Sequence, residues 1–121
     1  MKNFVAYQIA LQAARRVGDC LVSIRKQDRD LDRQVRRATQ SFVLNLAEGS
    51  RRRGQDRVHL FRIAAGSAAE VLAALDIAVA WGYIGEPTAE PSRQLLDRLL
   101  GICWRLTEGS KPMSTARQAK G

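Results

Sequence analysis

The sequence contains few of the residues that build metal and catalytic sites. Its 121 residues include one histidine and two cysteines, so a zinc finger or zinc ribbon cannot form within a single chain. Aromatic residues make up 6% of the chain. A glycine-rich nucleotide-binding loop, a Gly-x-Ser-x-Gly nucleophile elbow and a Cys-x-x-Cys pair are all missing. We therefore predict no metal ion, no cofactor and no enzymatic activity, which leaves binding and assembly as functions.

Long hydrophobic runs are also missing from the sequence, and the first residues do not resemble a signal peptide. The longest apolar stretch, residues 71–84, contains Asp76 and is too short to span a bilayer, so it predicts a core helix. Cys20 and Cys103 are then expected to be reduced and buried. These features predict a cytoplasmic protein without a membrane segment.

Apolar residues recur at three- and four-residue steps in four segments, near residues 3–26, 28–49, 55–82 and 91–108. Sustained alternation of the strand type does not occur. Short connections between four such helices predict an all-α fold, an antiparallel up-down-up-down four-helix bundle over residues 1–108. Residues 109–121 have little to bury and are expected to be a mobile basic tail.

Local signals mark the ends of the second helix. Asp28 is expected to cap its N-terminus, and Gly49 to follow its last turn as a C′ glycine. The third helix is apolar on two nearly opposite sides, one of which includes Ile63, Ile77 and Trp81. Because a helix that is apolar on two sides must be covered on both, we expect a homo-oligomer.

Positive charge is abundant and concentrated in one region. The formal net charge is +8, and residues 25–62 hold eleven basic against five acidic residues. The turn at 51–53 has three arginines, whereas Glu48 and Asp56 are the only carboxylates close in sequence. The predicted phosphate-contacting residues are Arg51, Arg52, Arg53 and Arg57, followed by Arg29, Arg33 and Arg36. Since aromatic residues do not alternate with these arginines, we expect binding to backbone phosphate that is independent of base sequence.

Two polar pairs are predicted between the second and third helices. A hairpin that turns between Gly49 and residue 55 brings Arg37 close to Glu70, which suggests a partly buried ion pair that fixes the register. The same register places Asn45 opposite His59, where a hydrogen bond would satisfy both side chains.

Two stretches carry a resemblance to a known family. Residues 34–49, QVRRATQSFVLNLAEG, and residues 61–70, FRIAAGSAAE, resemble the two motifs of the bacterial four helix bundle protein family, also called the rRNA intervening sequence protein family. The resemblance extends over about residues 4–106. The motif positions are Arg36, Arg37, Ser41, Asn45, Glu48, Gly49, Ser67 and Glu70, none of which is catalytic in the family.

The resemblance implies a four-helix protomer that assembles into a ring-shaped homopentamer. Relatives of the family include the accessory variability protein of diversity-generating retroelements, a basic pentamer that binds nucleic acid and a reverse transcriptase. The sequence therefore predicts a non-enzymatic, oligomeric nucleic-acid-binding or accessory scaffold, with a reverse transcriptase or another protein as a further partner. The alternative is a protein-protein interaction module whose charge serves only solubility.

Overall fold

The structure is a computed structural model in which residues 4–108 are described, and this part of the chain is α-helical without strands. The four helices are α1 (Val5–Gln27), α2 (Arg29–Gly49), α3 (Gly54–Ala80) and α4 (Glu86–Thr107). The predicted all-α fold with four helices is confirmed. The predicted tail at residues 109–121 lies outside the described residues.

The core lies between the four helices and takes one face from each. Small residues on α1 let its neighbours pack closely, and Ala10 and Ala13 are completely buried. All four helices also bury larger side chains, whose removal from water is the main favourable contribution to folding. The largest fully buried side chains include Phe42, Phe61, Ile24, Leu46, Leu75, Leu96 and Leu99.

Each helix packs mainly against two others. Both α1 and α3 contact α2 and α4, so α1 and α3 occupy diagonal positions. The start of α2 lies beside the end of α3, where the Tyr83 hydroxyl donates a hydrogen bond to the Asp28 carboxylate at 3.1 Å. The end of α2 lies beside the start of α3, where Gly49 packs against Phe61.

The two ends of α2 test the predicted helix boundaries. The Asp28 side chain accepts a hydrogen bond from the backbone N–H of Leu31 at 2.9 Å, which confirms the N-cap. The prediction for Gly49 is wrong, because Gly49 is the last residue of α2 and does not have a positive φ. Gly49 is required for packing, since a Cβ atom there would lie 2.6 Å from Cε1 of Phe61.

The register of α2 against α3 differs from the predicted one by about one helical turn. The prediction placed His59 beside Asn45, whereas Ser41 and Ser67 meet at 2.7 Å and Phe61 faces Gly49. The first turn of α3 therefore extends beyond the end of α2.

The predicted start of α4 is also wrong, because α4 begins at Glu86 and not near Pro91. A proline in the first turn of a helix needs no N–H donor, so Pro87 can occupy that place.

Candidate nucleic-acid interface

The seven candidate arginines do not form one site. Arg51, Arg52, Arg53 and Arg57 lie at or just after the turn that follows α2, whereas the other three belong to its first two turns. Because α2 has 21 residues, its two ends are about 30 Å apart. The arginines therefore form two separate basic surfaces.

At the turn after α2, Glu48 binds two of the three consecutive arginines. Arg51 Nη2 lies 3.1 Å from Glu48 Oε1, and Arg52 Nη2 lies 2.6 Å from Glu48 Oε2. Arg52 also lies 3.7 Å from the Asp56 carboxylate. The hydrogen bonds from Arg52, then those from Arg51, hold the pKa of Glu48 below its ordinary value. The turn thus presents less free positive charge than its three arginines suggest.

The other two arginines of this end differ in their contacts. Arg53 is exposed at the N-cap of α3, and its side chain has no ion pair or hydrogen bond with any residue from 4 to 108. The Arg57 guanidinium lies 5.3 Å from the centroid of the Phe61 ring, a cation–π geometry. Arg53 is therefore the one fully available cation of the 51–53 turn.

At the start of α2, the arginines border a cleft between α1 and α2. Two adjoining cavities, of about 460 and 420 Å³, share Arg25, Arg29 and Arg36 as lining residues. We call this feature the α1–α2 cleft, and it is lined by Leu21, Val22, Arg25, Lys26, Arg29, Asp32, Arg33 and Arg36. Two cations of this cleft, Arg25 and Lys26, were not among the predicted contact residues. The signal that could have identified them is the short connection between α1 and α2. It consists of Asp28 alone and therefore keeps the end of α1 close to the start of α2.

The cations of the α1–α2 cleft differ in how they are paired. Arg33 lies 3.2 Å from the Asp30 carboxylate, an exposed pair. Arg36 Nε contacts both oxygens of Asp32 at 3.1 Å, and the Asp32 side chain is only 10% exposed.

Three cations of the same cleft have no such partner. Arg25, Lys26 and Arg29 are exposed, and their side chains have no ion pair or hydrogen bond within the described part of the chain. The α1–α2 cleft therefore contains more free cationic groups than the turn after α2.

Three of the family motif residues meet between α2 and α3. The Asn45 side-chain amide donates to the Ser41 carbonyl at 2.9 Å and to its hydroxyl at 3.2 Å. The Ser41 hydroxyl in turn lies 2.7 Å from the hydroxyl of Ser67, which is buried. This polar chain joins the two sequence motifs and fixes the register of the helix pair. Its role is structural, because the Asn45 amide nitrogen and the two serine hydroxyls are hydrogen-bonded to one another across the helix pair.

The predicted pairs of Arg37 with Glu70 and of Asn45 with His59 are both wrong. Arg37 and Glu70 are exposed, and no ion pair joins them among residues 4–108. His59 is also exposed, while Asn45 bonds to Ser41 instead. The shifted register separates Asn45 from His59. Arg37 and Glu70 lie nearly level in the observed register, where Ser41 meets Ser67, and they fail to pair because both side chains are exposed on their helices instead of lying in the contact between α2 and α3.

The outward face of α3 is mostly apolar, with Glu70 as a charged residue on it. Ile63 and Ile77 are each 39% exposed and Trp81 is 66% exposed, while Gly66 and Ala73 lie exposed between them. By length and composition alone, Gly54–Ala80 could also cross a membrane, a criterion that core helices of soluble proteins meet as well. Only a third of its most apolar window is buried inside the protomer. Most of this window is therefore not buried within the protomer.

The groups that could perform catalysis are isolated or buried. Among residues 4–108, no three His, Cys, Asp or Glu side chains lie together as a metal-binding group. Cys20 and Cys103 are free and buried. Burial raises the pKa of the Cys103 thiol to about 11 and also raises that of Cys20, so both are protonated near neutral pH. Neither thiol has the properties of an activated nucleophile.

Comparison with known proteins adds a family to these observations. The family model of the 23S rRNA-intervening sequence protein matches residues 2–118. No curated protein matches the sequence. One similar solved structure is a protein of unknown function from the S23 ribosomal protein family of Bacteroides thetaiotaomicron, with a TM-score of 0.77 and 16% sequence identity. The match covers 85% of this chain and 98% of that one, and at this identity it shows the fold alone. Because the family model spans nearly all of the sequence, the chain belongs to the 23S rRNA-intervening sequence protein family.

Proposed function

We propose that this chain is the protomer of a non-enzymatic, cytoplasmic homo-oligomer that binds the phosphate backbone of nucleic acid as an accessory scaffold. The observation that carries the proposal is the separation of an apolar surface on α3 from the basic surfaces at the two ends of α2. Since α1 and α3 are diagonal in the protomer, the α1–α2 cleft is not part of the outward face of α3.

The homo-oligomer in this proposal is a ring of antiparallel up-down-up-down protomers. The order of contacts supports this topology, because Asp28 lies beside Tyr83 whereas Gly49 lies beside Phe61. The exposed Ile77 and Trp81 support association, since apolar surface of this kind marks contact sites on soluble proteins. The number of five subunits follows from the family resemblance. Cyclic symmetry would repeat each basic surface around the ring, so weak contacts with one long ligand would add together.

Binding to nucleic acid in this proposal depends on phosphate contacts. The free cations are mostly arginines, whose planar guanidinium group matches phosphate geometry. Affinity is expected to be largely independent of base sequence and to fall steeply with salt, because each phosphate contact releases counterions. The accessory variability protein, a relative of the family that the sequence resembles, suggests a reverse transcriptase or another protein as the protein partner of such a scaffold.

The assembly is tested by sedimentation equilibrium of the wild type and two variants. We expect an oligomer for the wild type, dissociation for Ile77→Asp on the α3 face, and no change for Val5→Asp, which alters a 50% exposed valine on α1. A monomeric wild type at micromolar concentration contradicts the proposed assembly. Flotation of such a monomer with lipid vesicles would then indicate that the α3 face contacts lipid.

The ligand is tested by titrating labelled RNA and DNA with the wild type at two salt concentrations. Binding at low salt that weakens at high salt is the expected result. The alternative function is a protein-protein interaction module, which the exposed Ile77 and Trp81 would serve whatever the role of the arginines. An oligomer that binds no nucleic acid even at low salt would contradict the proposal and support this alternative.

A further inference from the structure

We infer that the α1–α2 cleft is the principal site at which this protein holds consecutive phosphates of a nucleic-acid strand, and that the turn at 51–53 contributes less. The inference rests on the proposed function and assigns its ligand contact to a defined place. It also adds Arg25 and Lys26 to the phosphate-contacting residues.

The geometry of the cleft follows from the short connection between two helices. Because only Asp28 separates α1 from α2, the last turn of α1 lies beside the first two turns of α2. Arg25 from α1 and Arg29 and Arg36 from α2 therefore border the same two cavities. Cations from both helices can contact a ligand in the cleft at the same time.

Asp32 offsets one of the five positive charges that line the cleft. Its nearly buried carboxylate accepts hydrogen bonds from the Nε atom of Arg36, with both oxygens at 3.1 Å. The terminal Nη1 and Nη2 atoms of Arg36 have no hydrogen-bond partner within the described residues. Asp32 thus orients the Arg36 guanidinium while its two terminal nitrogens stay available to an anion.

The remaining cations of the cleft favour a chain of phosphates over a single one. Arg25, Lys26 and Arg29 are unpaired among residues 4–108, and they are distributed over two adjoining cavities. One phosphate group would engage only part of this array, whereas a nucleic-acid strand presents a phosphate at every nucleotide. No aromatic side chain lines the cleft, so it offers no surface for base stacking. This chemistry fits the backbone of either RNA or DNA.

The turn at 51–53 is the weaker site because two of its three arginines share a carboxylate, whereas three of the five cations of the α1–α2 cleft have no acidic partner among residues 4–108. Glu48 contacts both Arg51 and Arg52, so phosphate must compete with a carboxylate for two of the three guanidinium groups. Arg53 alone is unpaired there within the described chain. The turn therefore has a smaller capacity for binding phosphate than the α1–α2 cleft has.

The experiment compares three variants that each lose three positive charges. The cleft variant is Arg25→Gln, Lys26→Gln, Arg29→Gln, and the turn variant is Arg51→Gln, Arg52→Gln, Arg53→Gln. The control variant is Arg15→Gln, Arg98→Gln, Arg105→Gln, which removes exposed arginines that are unpaired in the described structure and lie outside both surfaces. Affinity for short labelled single-stranded RNA and DNA is measured by fluorescence anisotropy over a series of salt concentrations, and thermal unfolding verifies that each variant is folded.

The cleft variant is expected to bind about tenfold more weakly, and the slope of log affinity against log salt should decrease by about 2 to 3. The turn and control variants should each weaken binding by less than about threefold. An Arg25→Lys, Arg29→Lys variant should keep the salt slope while losing part of the affinity, because it retains charge without the planar fork. A methylphosphonate strand, whose backbone is uncharged, should not bind.

The remaining outcomes separate the inference from the proposed function. Equal weakening in all three variants, or the largest loss in the turn variant, overturns the inference but leaves nucleic-acid binding in place. Displacement of the strand by inorganic phosphate at similar concentration also overturns the inference, since the cleft would then hold a single free phosphate. A wild type that binds neither RNA nor DNA at low salt overturns both.

Discussion

The two ends of α2 contain similar numbers of basic residues but hold them differently. At its start, Arg29 and the neighbouring Arg25 are unpaired within the described chain and border a cleft. At its end, the carboxylate of Glu48 contacts Arg51 and Arg52, and Gly49 fixes the backbone against the ring of Phe61. The first end offers free charge to a ligand, whereas the second end is organised by internal contacts.

This difference shows why local charge counts do not locate a binding surface. A run of three arginines is the most conspicuous basic feature of the sequence, yet one carboxylate in the last turn of α2 contacts two of these arginines. Arg25 and Arg29 are less conspicuous because they belong to different helices. Their joint action depends on a tertiary arrangement that brings the two helices together.

The largest expected effect concerns the packed end of α2. Gly49→Ala places a Cβ atom 2.6 Å from a ring carbon of Phe61, so the helices must move apart or the ring must shift. We expect a loss of about 1 to 3 kcal/mol in the free energy of unfolding, typical of overpacking in a core. Urea denaturation at constant protein concentration measures this change.

The matched control for this prediction is Gly18→Ala in the middle of α1. Gly18 is exposed, and a Cβ atom there would have no neighbour within 4 Å. This substitution should stabilise the protein by up to about 1 kcal/mol, because alanine favours a helix over glycine. If both substitutions have the same effect, the contact of Gly49 with Phe61 is not what distinguishes the end of α2.

The sequence predicted those features that depend on neighbours along the chain. The four helices follow from the apolar repeat, and the Asp28 N-cap follows from local hydrogen bonding. The motif glycine at 49 was recognised, but its reason was wrong, because contact with Phe61 depends on a register that local patterns do not determine. The same shift in register accounts for the failed pair of Asn45 with His59.

The basic surface was predicted only in part, for a related reason. Charge counting identified Arg29, Arg33 and Arg36 as a second candidate group, but it could not show which arginines are already paired. That information requires the side-chain directions of Glu48 and Asp32, which depend on helix phase. Such details of a charged surface are fixed less strongly by sequence pattern than the buried stripe of a helix is.

An intermediate effect is expected from releasing the arginines at the end of α2. Glu48→Gln removes the carboxylate that binds Arg51 and Arg52, so this end should gain affinity for labelled RNA and DNA by a few fold, with a steeper salt dependence. Asp97→Asn on α4 is the control, since it makes the same change in net charge at an exposed residue without an ion pair in the described structure. Equal gains from both variants would attribute the effect to net charge and would remove the distinction between the two ends.

The smallest expected effect is the pH dependence that Glu48 gives to stability. The hydrogen bonds from Arg52 and Arg51 lower its pKa in the folded state below the ordinary value of 4.5, so the folded protein binds this proton less tightly than the unfolded chain does. The stabilising contribution of Glu48 is therefore fully present above pH 4.5 and is lost as the pH falls through the lowered pKa. The difference in unfolding free energy between the wild type and Glu48→Gln should stay constant from neutral pH down to about one unit above the ordinary pKa of 4.5, and it should shrink as the pH falls further. Because the ion pairs are exposed, this difference should be much smaller than the effect of Gly49→Ala.

An NMR titration of the Glu48 carboxyl carbon measures the pKa of Glu48 directly. In an Arg51→Gln, Arg52→Gln variant this pKa should rise. A pKa that does not change when both arginines are removed would show that Glu48 does not hold them in solution, and the turn would then be as free to bind phosphate as the α1–α2 cleft.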